Sequence, residues 1–175
     1  LFMPLFVSLI APGFKSDPEK FILATDLTRI TFPFILFISL ASFFSAILNS
    51  HNKFAAASAA PIILNIVLII TLLCAKYLDD HLVIYMSYGV SIAGFIQMIF
   101  LIFVLKKIYK PQFKVNLNID NKTKSFFKKL LPSIFSSGVT QINILIGTII
   151  ASFQAGAVSY LYYADRIYQI NLAIA

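Results

Sequence analysis

Ser159-Tyr-Leu-Tyr-Tyr-Ala-Asp-Arg-Ile-Tyr-Gln169 sets an adjacent Asp165 and Arg166 inside a stretch that otherwise reads as a membrane-spanning helix. On translocon scales a central Asp or Arg costs about 2.5 to 3.5 kcal/mol each, so ionisable residues within spans face a bundle interior or a wet cavity and mark a pathway or binding site. At helical spacing Ser159, Tyr162, Tyr163, Arg166 and Gln169 share one face, a polar and aromatic stripe around a fixed positive charge. That face is the first candidate site.

The surrounding composition supports a membrane reading. Of 175 residues 59% are hydrophobic and 12% charged, against roughly 25% charged in an average soluble domain, and the mean hydropathy is +0.88. Several apolar runs approach the ~20 residues that cross a bilayer, which a soluble helical core does not accommodate. The chain is expected to be an internal piece, since it starts at Leu1 and stops at Ala175 in mid-helix. The single cysteine, Cys74, lies in an apolar run, reads as a small hydrophobe and rules out an internal disulfide framework. The net charge of +7 is concentrated, with eight of the fourteen basic residues between Lys106 and Lys129. Membrane orientation explains that cluster better than nucleic acid, so no nucleic-acid partner is expected.

Leu1 to Ala11 reads as the end of a span closed by Pro12-Gly13, and Phe14 to Arg29, with three charges of each sign, as a loop or short surface helix. A first complete span is predicted from about Phe21 or Ile30 to Asn49, kinked at Pro33 unless the proline lies in its first turn. Ser39, Ser42 and Ser45 read as helix-packing contacts. After the polar Asn49 to Phe54 connection, Ala55 to about Tyr77 forms a second span, where Asn65 is expected to bond backbone freed by Pro61 or a neighbouring helix. Asp79-Asp80-His81 has metal-ligand residue types but no coordinating geometry, and no metal site is expected. A third span covers about Leu82 to Leu105, with Ser87, Ser91, Gly94, Gly89 and Ala93 as packing positions.

From Lys106 to Lys129 the chain is lysine-rich, and its last part, Thr123 to Leu131, reads as an interfacial amphipathic segment. The Asn121-Lys-Thr123 glycosylation pattern there is silent in a cytoplasmic segment. A fourth span, Leu131 to about Phe153, is unusually polar, and Ser136, Thr140, Asn143 and Gly147 fall on one face that should border a wet cavity or another polar helix. Gln154 to Val158 then turns the chain into the helix of the opening motif. The basic 106–129 segment should be cytoplasmic, which places Pro12 to Arg29, Lys76 to His81 and Gln154 to Val158 outside.

No Ser/His/Asp arrangement, Walker-type glycine loop or Cys/His metal spacing is found, and the two histidines fall in different loops on opposite faces of the membrane. A buried arginine beside an aspartate, on a helix following a polar one, fits a solute pathway rather than an enzyme centre, so no catalytic residues are assigned.

An ordered series of segments resembles one family. Phe32-Pro-Phe, Ile38-Ser-Leu-Ala41, Ile47-Leu-Asn-Ser-His51, Lys53-Phe54-Ala55, Ala60-Pro61, Leu64-Asn65, Leu131-Pro132, Gly138-Val-Thr-Gln-Ile-Asn143 and Tyr162-Tyr-Ala-Asp-Arg166 are similar to the MurJ/MviN lipid II flippases over nearly the whole chain. The resemblance implies an all-α polytopic membrane bundle, part of a fourteen-helix, two-lobe exporter fold. Residues 1–105 would be part of the N-terminal lobe, 106–129 the basic cytoplasmic inter-lobe connection and 130–175 the start of the second lobe.

It also implies a central cationic cavity for the pyrophosphate and sugar headgroup of lipid II, in which the arginine matching Arg166 takes part. Asp165 would orient that arginine or offset its charge, and Tyr162, Tyr163, Gln169, Gln141 and Asn143 are further cavity candidates. Lipid II and membrane lipids are the implied partners, with cell-wall synthesis proteins as candidates. No cofactor is implied, and transport would be driven by membrane potential or a cation gradient. Gly147 stands where many members carry an Asp, which weakens a cation site there, and Gln169 stands where some carry an acid. The competing expectations are an exporter of another lipid-linked glycan or drug, and a non-transporting membrane scaffold for cell-wall enzymes.

Overall fold

A computed structural model of the protein describes residues 2–76, 82–108 and 121–174, and among them every regular element is helical. The order is α1 (Met3–Ile10), a 3-10 turn (Pro12–Ser16), α2 (Pro18–Ser50), α3 (Phe54–Ala75), α4 (Leu82–Ile108), α5 (Asn121–Ala151) and α6 (Ala157–Ile174). Helices α2, α3, α4 and the Thr123–Ala151 part of α5 are long and apolar enough to cross a membrane. The chain is therefore an all-α, polytopic membrane segment. Helix α6 is not among these four, because Ser159, Asp165, Arg166 and Gln169 dilute its apolar residues. The Asp79-Asp80-His81 triplet and positions 109–120 of the lysine-rich segment lie outside the described residues.

Two helices start earlier than the sequence suggests. Helix α2 begins at Pro18 and runs unbroken through Arg29 and Pro33, so the expected loop over Phe14 to Arg29 is confined to its first residues. The cause is an N-terminal cap: the Asp17 carboxylate accepts the Lys20 backbone N–H at 3.2 Å, with Pro18 and Glu19 next in line. Likewise α5 is continuous from Asn121, so Thr123 to Leu131 is the first part of the same helix as the span. Pro132 removes one backbone donor, which a long helix tolerates, and the Ser133 hydroxyl donates to the Lys129 carbonyl at 3.1 Å.

Contacts divide the chain into two compact units, Ala24–Phe113 and the remainder, with the border inside α2. In the Ala24–Phe113 unit, α2, α3 and α4 enclose Ala41, Leu48, Ala60, Leu101 and Leu105, flanked by Phe44, Ile47, Met98 and Val104. Helix α2 ends in a Schellman arrangement. Asn52 takes φ +58, Lys53 N–H donates to Leu48 O at 2.9 Å and Asn52 N–H to Asn49 O at 3.0 Å. Asparagine tolerates that left-handed conformation better than most residues, so the connection reverses the chain in very few residues.

The small residues of α4 act as the sequence suggests. A Cβ on Gly89 would lie 2.6 Å from Thr71 Cγ2 of α3, and one on Gly94 2.5 Å from Phe34 Cδ2 of α2. The Ser91 hydroxyl donates to the Ile30 carbonyl at 2.6 Å, joining α4 to α2 just before Pro33. The Ser39, Ser42 and Ser45 series behaves differently. Ser39 and Ser42 are exposed, Ser39 bonds its own Ile35 carbonyl at 2.7 Å, and Ala41 is the buried small residue. A three-residue step falls short of a 3.6-residue turn by about 60°, so such a series drifts off any one contact face. Asn65 is also exposed, and among the described residues it makes no hydrogen bond.

In the other unit the 3-10 turn packs against the C-terminal end of α5. Gly13 N–H donates to Ser152 Oγ at 3.0 Å, and that hydroxyl donates in turn to the Ile149 carbonyl at 2.7 Å. Both residues are buried, and a Cβ on Gly13 would collide with the Ser152 carbonyl oxygen. The obstacle is backbone, so little can yield. Gly13→Ala in the full-length protein is expected to destabilise by about 1 to 3 kcal/mol, the usual cost of overpacking. Thermal unfolding in detergent checks this, and an unchanged midpoint would contradict the contact.

Candidate functional site

The site is built on the hairpin of α5 and α6. Its turn contains Gly156 at φ +74, a backbone conformation that suits glycine, and Tyr160 N–H donates to Gly156 O at 3.1 Å as α6 begins. The two helices approach where the Gly147 α-carbon faces Leu161; a Cβ there would sit 3.4 Å from Leu161 Cδ2. On one side of this approach lies a cleft of about 310 Å³ lined by Asn143, Ile144, Gly147 and Thr148 of α5 and Val158, Leu161, Tyr162 and Asp165 of α6. Of the polar face expected on α5, Asn143 and Gly147 therefore reach the cleft. Thr148 joins them, its hydroxyl already donating to Ile144 O at 2.9 Å.

Arg166 stands beside this cleft in a network confined to α6. Its Nη2 donates to the Tyr162 hydroxyl at 2.7 Å, and its Nη1 reaches Gln169 Oε1 at 3.4 Å. Gln169 Nε2 donates to Asp165 Oδ2 at 2.6 Å. The guanidinium carbon lies 5.0 Å from the Tyr162 ring centroid, within cation–π range. Tyr163 packs its ring edgewise on Tyr162, with centroids 6.4 Å apart. Spacings of three and four residues place these side chains one above another on a helix.

The sequence candidates are thus brought together unequally. Tyr162, Asp165, Arg166 and Gln169 form one bonded cluster, and Asn143 faces Tyr162 and Asp165 across the cleft. Every side chain of α6 from Ser159 to Ile170 is exposed, the expected buried arginine Arg166 included, and neither Tyr163 and Ser159 nor Gln141 of α5 lines the cleft. Asp165 and Arg166 are linked through Gln169 and not directly, because residues adjacent in a helix point in different directions. Leu161, Val158 and Thr148 were not anticipated as lining residues. Their signal was the short separation of Gly147 from the turn, which brings opposite positions of the hairpin together.

Chemically, the arrangement presents an anion-binding group. Guanidinium has five N–H donors, of which the cluster engages two, and its charge is permanent. Asn143 and the aromatic side chains add neutral hydrogen-bonding and stacking surface.

The family model described as lipid II flippase MurJ matches residues 1–175. The chain is 42% identical over 178 residues to a probable lipid II flippase MurJ of Rickettsia prowazekii, covering 99% of this chain and 34% of that protein. It is 41% identical over 181 residues to a protein of the same description from Rhizobium tropici, covering 99% and 33%, and 34% identical over 193 residues to one from Helicobacter pylori, covering 98% and 41%. The chain spans about a third of the length of the first of these relatives.

In a full-length protein freed of other cysteines, Asn143→Cys is expected to react with a water-soluble methanethiosulfonate. Adding Gly147→Leu, which fills the cleft beside Leu161, should slow labelling severalfold. Equal rates would show that the cleft does not give water access to position 143.

Proposed function

Because this chain belongs to the lipid II flippase MurJ family, we propose that the protein moves lipid II, the lipid-linked peptidoglycan precursor, from the inner to the outer face of the cytoplasmic membrane by alternating access. The chain is part of a multi-pass protein of the bacterial inner membrane. Residues 1–105 contribute to the first lobe, the basic 106–129 segment connects the lobes on the cytoplasmic side, and residues 130–175 open the second lobe. Movement is translocation rather than covalent chemistry, so the protein acts as a transporter and not as an enzyme.

The observation that carries the reading is Arg166, a permanent cation on α6 bonded to Tyr162, which with Asn143 and Asp165 lines the cleft. Such a charge is tolerated at membrane depth only toward protein or water. A diphosphate headgroup supplies the matching anion, which a planar fork of donors holds in a defined orientation. Tyr162, Asn143 and, from the exposed side, Tyr163 and Gln141 offer contacts to the sugar part of the headgroup, while the polyprenyl tail stays near lipid. Rocking of the lobes then exposes Arg166 to one side and the other. Membrane potential or a cation gradient drives the cycle, and Gly147 supplies no carboxylate for a cation at that position.

The test is lipid II accessibility at the outer face of cells depleted of their native flippase and supplied with full-length protein. Wild type is expected to export and Arg166→Ala, at equal expression, to lose export. Export by both would remove the role of Arg166. Export by neither would favour an exporter of another lipid-linked glycan or drug, or a cell-wall scaffold.

A further inference from the structure

Resting on the reading of Arg166 as the anion-binding group, we infer that Tyr162 is a positioning residue whose hydroxyl tethers the Arg166 guanidinium at the rim of the α5–α6 cleft and so acts on a bound diphosphate through the arginine. Successive residues of an α-helix are turned by about 100°, and Arg166 is accordingly not among the residues that line the cleft, whereas Asp165 and Tyr162 are. An arginine in that place needs a neighbour to draw it toward the cleft and hold it there. Its side chain is exposed, and a long exposed side chain gives up much rotamer freedom when a ligand has to fix it.

Tyr162 meets both needs. Its hydroxyl accepts from Arg166 Nη2 at 2.7 Å, at the short end for a bond from a charged donor. The guanidinium carbon stands 5.0 Å from the centroid of the same ring. The other contact of the guanidinium, from Nη1 to Gln169 Oε1, is longer at 3.4 Å. The phenol is itself a firm anchor, because it has only two side-chain torsions and Tyr163 meets its ring edgewise with centroids 6.4 Å apart. Helix spacing explains why the two side chains are near, since residues four apart lie one above the other. Spacing does not supply the bond: phenylalanine at 162 would keep the ring and leave Nη2 without its acceptor. The guanidinium N–H groups that Tyr162 and Gln169 leave unused then face a ligand from a fixed position.

The distinguishing measurement is equilibrium binding to full-length protein in lipid nanodiscs of two ligands, a fluorescent polyprenyl diphosphate, which has no sugar, and lipid II. Tyr162→Phe is expected to weaken both by the same factor, about threefold to tenfold, the scale of one hydrogen bond to a charged group at an exposed site. In an Arg166→Ala background, titrated to saturation, the same substitution is expected to change nothing further, because the arginine through which it acts is gone. A loss confined to lipid II would make the hydroxyl a sugar contact and overturn the inference. So would wild-type binding by Tyr162→Phe, or an undiminished loss in the Arg166→Ala background, which is the signature of a direct phosphate contact or of damage to the fold. The functional reading fails separately. Wild-type binding by Arg166→Ala removes the substrate role of Arg166 itself, whereas weak binding there with unaltered Tyr162→Phe removes only the tether.

Discussion

A backbone that crosses hydrocarbon has no water to bond, so each segment must satisfy its own N–H and C=O groups. The described elements follow from that constraint. All are helical, and the side-chain hydroxyls within them turn back to their own backbone: Thr28 to Ala24, Ser39 to Ile35, Thr71 to Val67, Ser87 to Val83, Ser133 to Lys129 and Thr148 to Ile144. These residues are polar by composition, yet their hydrogen bonds end on the same helix. Ser91 and Ser152 are different in kind. Ser91 donates to another helix, and Ser152 accepts from the backbone of the Pro12–Ser16 turn, so these two hold tertiary structure.

With little hydrophobic drive between helices inside lipid, close approach takes the place of a large core. Among the described residues the fully buried large side chains are Leu48 and Leu101, while Phe43, Ile62 and Phe103 are about three-fifths exposed. Packing is concentrated where a side chain is missing: Gly89 on Thr71, Gly94 on Phe34, and Gly13 on the Ser152 backbone. Each helix pair therefore depends on a small number of positions, and a methyl group at one of them matters more than a conservative change among the many exposed leucines and isoleucines.

The α5–α6 hairpin uses the same device to form a cleft. Gly147 lets Leu161 approach, and the space beside that approach becomes the cleft in which Asn143 faces Tyr162 and Asp165. On α6 the charges are arranged along the helix rather than across to a partner: Tyr162, Arg166, Gln169 and Asp165 are linked in that order by hydrogen bonds.

The sequence by itself determined the helical membrane class, the spans α3 and α4, the packing role of Gly89, Ser91 and Gly94, and the cluster of Tyr162, Arg166 and Gln169. All of these follow from hydrophobic run length or from three- and four-residue spacing, which are properties of one helix at a time. The start of α2 at Pro18 was not read from the sequence, where the charges up to Arg29 look like a loop, because it depends on the single capping contact of Asp17. Tertiary structure alone decided that Gly13 meets Ser152, that Asn143 reaches the cleft while Gln141 does not, and that the serine series of α2 is not its packing face. The physical reason is that periodicity fixes which residues share a face, whereas the partner of that face is chosen by where two backbones approach closely enough to exclude a side chain.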